Sequence, residues 1–460
     1  MLESRPQLQA HLSLEKAGMS TIVICLIHLR RFSVNGEQIL AAWRPARLSH
    51  DKSAKMPIKI KVANSSPEID DTLWLRHEVF VVEDGKFGGH PLRTERLVDR
   101  FDALLDVFHV VAYEGAEPIA AMRLVKDTGA GMPAEDLFDF SDYKRTAEHE
   151  YHASSGAGDD EDKKLPPIRY GSAGMLAIRS GWRRRRDVIR SMFRMAATIT
   201  RFNDVTHLLV VVNYETAGMY RRLGFTQLAE KIWNEEIGNF LVPLAGTSQR
   251  FVQWAHGNMP DTPLTPFKDS FTRWVFRAGE EIFREGEMGE EAFIVASGEV
   301  RITRCRENSE SLTLAQLGRG SIFGELALID EQARSATATA VGDCELIALD
   351  RTSFLSELES KPSLALKLFK VFTQRIRSTS ELAIVLAYSE PLQRMEFTFE
   401  LARKQARKDD EQTGEHVFRG GPAEFALMAG IDEPQAVEYL QSRVLDGSIT
   451  FSTRHISFVK

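Results

Sequence analysis

Between residues 58 and 246, short β-branched runs alternate with stretches whose apolar residues recur every three or four positions. The runs at 107–113, 119–125, 175–178 and 208–212 have the length and bulk of buried strands, so residues 57–246 are expected to form an α/β unit. Residues 247–266, rich in Gly, Thr and Pro, predict a linker. The pattern then changes to short strands punctuated by glycine, at 282–286, 292–298, 300–305, 312–317 and 345–350, which predicts a β-roll or barrel within 267–387. From Phe354 the chain turns helical, and 364–388 is long enough for a single amphipathic helix. Residues 388–460 read as helices followed by a hairpin at 449–459. Residues 1–55 are expected to be a poorly ordered extension, because their apolar run at 21–29 is too short to span a bilayer and no small-residue cleavage pattern follows it. The stretch SSGAGDDEDKK at 154–164 has nothing to bury and predicts an exposed loop.

Length and composition narrow this picture. A chain of 460 residues with 43% hydrophobic content holds about three domains, each able to bury a core. With 58 Lys and Arg against 65 Asp and Glu, the net charge of -7 excludes a bulk basic surface for nucleic acid or anionic membrane, so any such contact is local. Cys25, Cys305 and Cys344 are far apart and odd in number, which argues against a disulfide framework or zinc cluster and fits a reducing cytoplasm. No metal site and no membrane span are expected.

Residues 212–225, VNYETAGMYRRLGF, place Asn213 at a strand end and Ala217 and Tyr220 on the helix that follows, with Gly224 as its stop. This arrangement resembles the closing motif of the GNAT superfamily of N-acyltransferases. The resemblance implies a GNAT fold in which an acyl thioester lies between two splayed parallel strands and is attacked by an amine. It further implies that Tyr220 protonates the leaving thiolate and Asn213 binds the carrier arm. Backbone amides of the strand 175–178, at Leu176 and Ile178, are implied to polarise the thioester carbonyl. The family's glycine-rich pyrophosphate turn corresponds to WRRRRDVIRSMF at 182–193, where Asp187 and Ile189 replace the two glycines and Arg183, Arg184, Arg185 and Arg186 keep the positive charge. The donor is therefore left open between acyl-CoA and an acyl carrier protein (ACP), whose acidic surface suits four arginines.

Upstream stand Arg76, Val79 and Phe80 (RHEVF), Glu83, Asp99 and Asp102 (DRFD), and Arg123 (AAMRLV). These resemble the acyl-homoserine lactone synthases and the related N-acyl amino acid synthases, which are GNAT-like and take acyl groups from ACP. The Glu and Arg that lactone synthases carry on the next strand are missing from 170–178, which leaves acylation of an amino acid or another amine. Glu83, Asp99 or Asp102 can serve as the base that frees the amine, or Asp99 and Asp102 can pair with Arg76 and Arg123 to order the acceptor loop.

In FGELALIDEQARSATA at 323–338, a helix start and Arg334 can neutralise a phosphate while Glu325 accepts from a ribose hydroxyl. The segment, with Gly324, Leu326, Ala327 and Ser335, resembles the phosphate-binding cassette of cyclic nucleotide-binding domains, and Gly279, Gly286, Gly298, Gly318 and Gly320 fall where that family turns. RIRSTSE at 375–381 resembles the dimer helix of the catabolite activator family, in which a Thr-Ser pair reaches the adenine of cyclic AMP. The match implies cyclic AMP as regulatory ligand through Thr379 and Ser380, and a homodimer seam along Leu364, Leu368, Val371 and Phe372. Residues 418–460 resemble the winged helix-turn-helix of the same family. They carry five acidic residues from 421 onward (Glu424, Asp432, Glu433, Glu438 and Asp446) against Arg443, Arg454 and Lys460, which disfavours DNA binding.

Together the resemblances imply a bacterial, cytoplasmic, cyclic-AMP-regulated N-acyltransferase. The rival expectation is a cyclic-AMP-responsive transcription regulator whose GNAT-like domain is a non-catalytic sensor.

Overall fold

The computed structural model describes residues 56–87, 94–155, 167–256, 272–305, 311–360, 362–408 and 416–459. The expected N-terminal extension and most of the expected acidic loop lie outside the described residues.

The first domain begins with β1 (Ile58–Val62) and α1 (Ser66–Arg76), which runs on into a π-helical stretch at His77–Glu83. After a short turn at Arg100–Ala103, β2 (Val107–Glu114) and β3 (Glu117–Lys126) form a hairpin closed at Gly115, whose φ of 57° suits a residue without a Cβ. There follow α2 (Ser141–Ser155), β4 (Tyr170–Ile178), α3 (Arg186–Phe202), β5 (His207–Asn213) and α4 (Tyr214–Arg222). The domain closes with β6 (Thr226–Gln227), β7 (Ile232–Asn234), β8 (Asn239–Thr247) and α5 (Ser248–His256). Helix α3 turns Val188, Met192, Met195, Ala196 and Ile199 onto the sheet, the three-to-four spacing of an amphipathic helix.

The start of the expected linker is corrected by the structure. Residues 248–256 form α5, whose Phe251 and Ala255 are buried in the first domain's core. Gly, Thr and Pro content described the segment after it, which lies outside the described residues.

The second domain comprises β9 (Thr272–Phe276), β10 (Glu281–Phe283), β11 (Glu291–Ser297), β12 (Val300–Cys305), β13 (Ser311–Leu317) and β14 (Ile322–Phe323). Next come α6 (Leu326–Asp330), β15 (Thr337–Ala340), β16 (Cys344–Asp350), α7 (Arg351–Ser360) and α8 (Pro362–Tyr388). Two sheets, β10-β15-β12-β13 and β14-β11-β16-β9, enclose Phe293, Val295, Val300, Phe323, Ala338 and Leu346.

The tail has α9 (Pro391–Gln405), β17 (Arg407–Lys408), β18 (His416–Phe418), α10 (Pro422–Ala429), α11 (Glu433–Leu445), β19 (Ile449–Phe451) and β20 (Ile456–Phe458). Gly430, at φ 62°, turns the chain between α10 and α11, as a two-helix motif with a trailing hairpin requires.

The first two domains share one sheet. Its order is β14-β11-β16-β9-β1-β2-β3-β4-β5-β8-β6, with β7 also on β8. The joint is the antiparallel pair β1–β9, from Ile58↔Val275 to Lys61↔Thr272. The sequence pattern does not single out β9, and it says nothing about a pairing that arises between residues about 200 positions apart.

The expected dimer seam is also corrected. Leu368 is buried and Phe372 packs beside it against the roll, so the face carrying them is occupied within the chain. Val371 is only partly exposed, and the side chain of Leu364 lies outside the described residues. Among the described side chains, the large apolar residues that α8 presents to solvent include Leu366, Phe369, Ile376 and Ile384. A helix with two apolar stripes does not announce which one meets its own domain.

Candidate functional site

Two backbone irregularities interrupt the first domain's sheet at β4. The parallel strands β4 and β5 pair only at Tyr170↔His207, Gly171↔Leu208 and Ser172↔Leu209, and beyond these positions they no longer form a ladder. On the other side of β4 the register with β3 shifts between Ala121↔Ala177 and Arg123↔Gly174, and Met175 sits at φ 51°. A bulge here turns backbone amides out of the ladder, and Leu176 and Ile178 follow it on the same strand. The sequence marks β4 as a strand but gives no sign of the bulge.

Asn213 ends β5 and caps α4 by position, with its carbonyl accepting from Thr216 Oγ1 at 2.8 Å. Tyr220 lies two turns along α4, 4% exposed, its ring edge-on to Phe193 and Phe225 at 5.5 and 5.7 Å. Burial pushes its hydroxyl pKa well above the ordinary phenol value, so the group stays protonated at neutral pH. Gly224, at φ 95°, ends the helix.

The acidic and basic residues upstream form one buried cluster. Asp102 accepts from Arg76 at 2.8 Å and from Arg123 at 2.7 Å, and its second oxygen accepts from the Asp99 amide at 3.0 Å. Asp99 takes two bonds from Arg123, at 2.5 and 2.7 Å, and one from the Phe101 amide. Burial would raise the Asp102 pKa, but Arg76 and Arg123 hold it below the ordinary carboxylate value. Sequence reasoning missed His109, a polar residue in the apolar run of β2. Its Nδ1 lies 3.0 Å from an Arg76 nitrogen, and a guanidinium only donates, so Nδ1 accepts and the proton sits on Nε2. Burial first, and then Arg76, push its pKa down to about 4.

Glu83 stands apart from this cluster, accepting from the Ser180 amide at 2.9 Å and from Arg183 at 3.0 Å. Arg183 also binds Asp84 at 2.7 Å and the Ile178 carbonyl at 3.0 Å, and Arg185 is clamped to Asp187. Arg184 and Arg186 are exposed and have no ion pair among the described residues. Ile189, the other position where a glycine is replaced, packs against the core.

In the roll, β14 runs directly into Gly324, at φ 75°, and Glu325. Leu326 and Ala327 begin α6, and Ser335 is exposed beside Arg334. The Arg334 guanidinium donates to the carbonyls of Gly324 and Glu291, each at 2.6 Å, and lies 4.2 Å over the Phe283 ring. Glu325, 1% exposed, accepts from Arg375 of α8 at 2.7 Å, and burial raises its pKa. Glu325 Oε2 and Arg334 Nε are buried without partners, an acceptor and a donor of the kind a ribose hydroxyl and a phosphate satisfy. Arg375 lies within the helix segment singled out from sequence, but its role appears only once α8 folds back onto the cassette. Thr379 and Ser380, one turn further on, are exposed.

The tail's α11 presents Glu433 and Glu438 to solvent, flanking a shallow concavity with Pro434, Val437 and Gln441. Helix α10 is tied to the roll, where Glu424 accepts from Thr313 at 2.8 Å and pairs with Arg301 at 3.0 Å. No group of three or more His, Cys, Asp or Glu able to hold a metal, and no helix long and apolar enough to cross a membrane, occurs among the described residues.

Comparison with known proteins divides the chain in the same way. Residues 71–247 match the family profile of N-acyl amino acid synthase FeeM, and residues 273–361 match that of the cyclic nucleotide-binding domain. The cyclic AMP receptor protein of Thermus thermophilus is 37% identical over 127 residues, covering 28% of this chain and 59% of that protein. A CRP-like cAMP-activated global transcriptional regulator of Mycobacterium tuberculosis is 30% identical over 105 residues, 23% of this chain and 47% of its own. The chain thus spans about half the length of these curated relatives. Among solved structures, the Thermus thermophilus catabolite activator protein is 28% identical and covers 44% of this chain and 92% of its own, with a TM-score of 0.26.

Proposed function

We propose that this chain, which joins an N-acyl amino acid synthase FeeM-type domain to a cyclic nucleotide-binding domain, is a GNAT-type N-acyltransferase controlled by cyclic AMP. The observation that carries the reading is the parting of β4 and β5 after Ser172 and Leu209, beside the bulge at Met175 and with Asn213 and Tyr220 at the far strand's end.

The thioester of the donor enters that gap, and its carbonyl oxygen takes hydrogen bonds from the freed amides around Leu176 and Ile178. The free amine attacks the carbonyl carbon, a C–N bond forms, and the tetrahedral adduct collapses with loss of the C–S bond. Asn213 binds the carrier arm, and the protonated Tyr220 hydroxyl supplies the proton that the thiolate takes up. Asp99 and Asp102, saturated by Arg76 and Arg123, act as positioning residues that order the acceptor side. Glu83, which stands outside the Arg76–Arg123 cluster, takes the amine's proton directly or through water.

Acyl-ACP is favoured over acyl-CoA as donor. Asp187 sets a carboxylate in the first turn of α3, where a pyrophosphate would need bare amides, while Arg184 and Arg186 remain open to an acidic protein surface. The acceptor is a small amine or amino acid. Arg334, Glu325 and Arg375 with Thr379 and Ser380 bind the cyclic nucleotide, and cyclic AMP is named on the strength of the Thr-Ser pair and of the relatives' own ligand. The exposed stripe of α8 makes the protein a homodimer. We place the protein in the cytoplasm.

The experiment is mass spectrometry of lipid extracts from cells expressing wild type or Tyr220→Phe, with and without added cyclic AMP. An N-acylated amine present with wild type and lost with the variant is the expected result. If both strains give the same extracts, the rival reading gains, in which the domain is a sensor within a DNA-binding regulator; the relatives that are transcriptional regulators favour it.

A further inference from the structure

The junction between the acyltransferase and nucleotide-binding domains contains a buried charge cluster that neither domain's chemistry uses. Glu345 of β16 is 3% exposed. One of its oxygens accepts from Arg273 of β9 at 2.5 Å, and the other accepts from Arg194 of α3, also at 2.5 Å. Arg273 reaches on to Thr198 Oγ1 at 3.1 Å, and Arg194 to Ser297 Oγ, at the end of β11, at 3.2 Å. Arg194 and Thr198 are one turn apart on the same face of α3. Burial works against the ionised carboxylate, yet the two guanidiniums keep the Glu345 pKa below its ordinary value.

What lies at either end gives this cluster its meaning. Strand β11 holds β14 at Phe293↔Phe323 and Ile294↔Ile322, and β14 leads straight into Gly324 and Glu325. The first residue of β11, Glu291, offers its carbonyl to Arg334, and its carboxylate lies 3.7 Å from Lys59 of β1. The last residue, Ser297, is registered with Glu345. One strand therefore touches the cassette at its start and the charge cluster at its end. On the other side, α3 carries Arg194 mid-helix and begins at Arg186, eight residues or about 12 Å away, at the donor's arginine patch. A phosphate that draws Arg334 from the Glu291 carbonyl changes the hold on β11. The buried ion pairs resist small displacements, because charges in a low-dielectric site lose much by separating, so a shift of the strand is passed on to α3.

We propose that the Arg194–Glu345–Arg273 cluster transmits occupation of the nucleotide cassette to α3 and thereby sets the geometry of the acyl-donor end of the first domain. The proposal rests on the reading of 324–335 as a nucleotide site and names how that site governs the acyltransferase.

The test is hydrogen–deuterium exchange on the full chain, with cyclic AMP as probe, for wild type, Glu345→Gln and Arg194→Gln. The second variant keeps the Arg273–Glu345 pair intact in case the first does not fold. In wild type, cyclic AMP is expected to change exchange by about fivefold or more both at 322–335 and at 187–202. In Arg194→Gln the change at 322–335 persists and the change at 187–202 is lost. An unaltered response of 187–202 in that variant overturns the proposal, as does a wild-type response confined to 322–335. If 322–335 itself does not respond in wild type, the nucleotide reading falls and takes the proposal with it, so the two failures are distinguishable.

Discussion

The Tyr220 ring is held edge-on by Phe193 and Phe225, so removing its hydroxyl leaves those contacts in place. Tyr220→Phe is expected to fold normally and to lower kcat by about 100-fold or more, the scale of a lost general acid, with KM little changed; steady-state kinetics on the purified chain checks this. Arg76 is different in kind. It is wholly buried between Asp102 and His109, and Arg76→Ala removes one of the two guanidiniums that hold the buried Asp102 carboxylate, so a loss of about 2–3 kcal/mol in urea denaturation is expected. The same cluster sets a pH dependence. His109 stays neutral in the fold down to about 4, whereas in the unfolded chain it takes up a proton near 6.5. Between those values the unfolded state binds more protons, so stability falls as pH drops through that window. Asp102 has the usual carboxylate sign: its depressed pKa contributes stability above its unfolded value near 3.9, lost as pH falls through the folded value. Denaturation of His109→Gln across about pH 2 to 7 should show the slope between about 4 and 6.5 removed and the one below about 3.9 kept.

At the level of elements, the chain's pattern located strands and helices well and their partners poorly. The run at 107–113 became β2, and 300–305 became β12 at the same bounds. Gly224 shows where a single residue decides an ending: at φ 95° a Cβ is strained, and it would sit 3.0 Å from Arg250 Cβ. Gly224→Ala is expected to cost about 1 kcal/mol or more by thermal or chemical denaturation. Helix α8 has apolar residues on two faces, and only the docking of Leu368 onto the roll reveals that the other, with Phe369 and Ile376, is left exposed. Phe369→Glu combined with Ile376→Glu should convert a dimer to a monomer in sedimentation velocity, while Leu368→Glu should unfold the roll instead.

For the molecule as a whole, the main departure from a string of linked domains is the sheet that passes from one domain into the next through β1 and β9. Backbone pairing plus the Glu345 cluster makes this joint stiffer than a flexible linker would, which is the condition for one site to bias another. The tail is attached through Glu424 to the β12–β13 hairpin, and its α11 shows Glu433 and Glu438 to solvent. An acidic face gains nothing from counterion release on a duplex. Fluorescence anisotropy of the full chain with cyclic AMP and mixed-sequence duplex is therefore expected to show no salt-sensitive binding up to micromolar protein.

What the sequence by itself determined was local. The cassette residues Gly324, Glu325 and Arg334 lie within eleven positions, and Asn213 and Tyr220 within eight, so short-range order alone sets their spacing. What only the tertiary structure decided was every constellation assembled from distant segments: Arg76 with Asp102 and His109, Arg375 over Glu325, and Arg194 against Glu345. Periodicity reports which face of an element is apolar, and a charged residue on a strand or helix looks the same whether water or a partner 26 to 151 positions away will meet it. Burial made the difference, because a charge withdrawn from water must find its counter-charge in the fold.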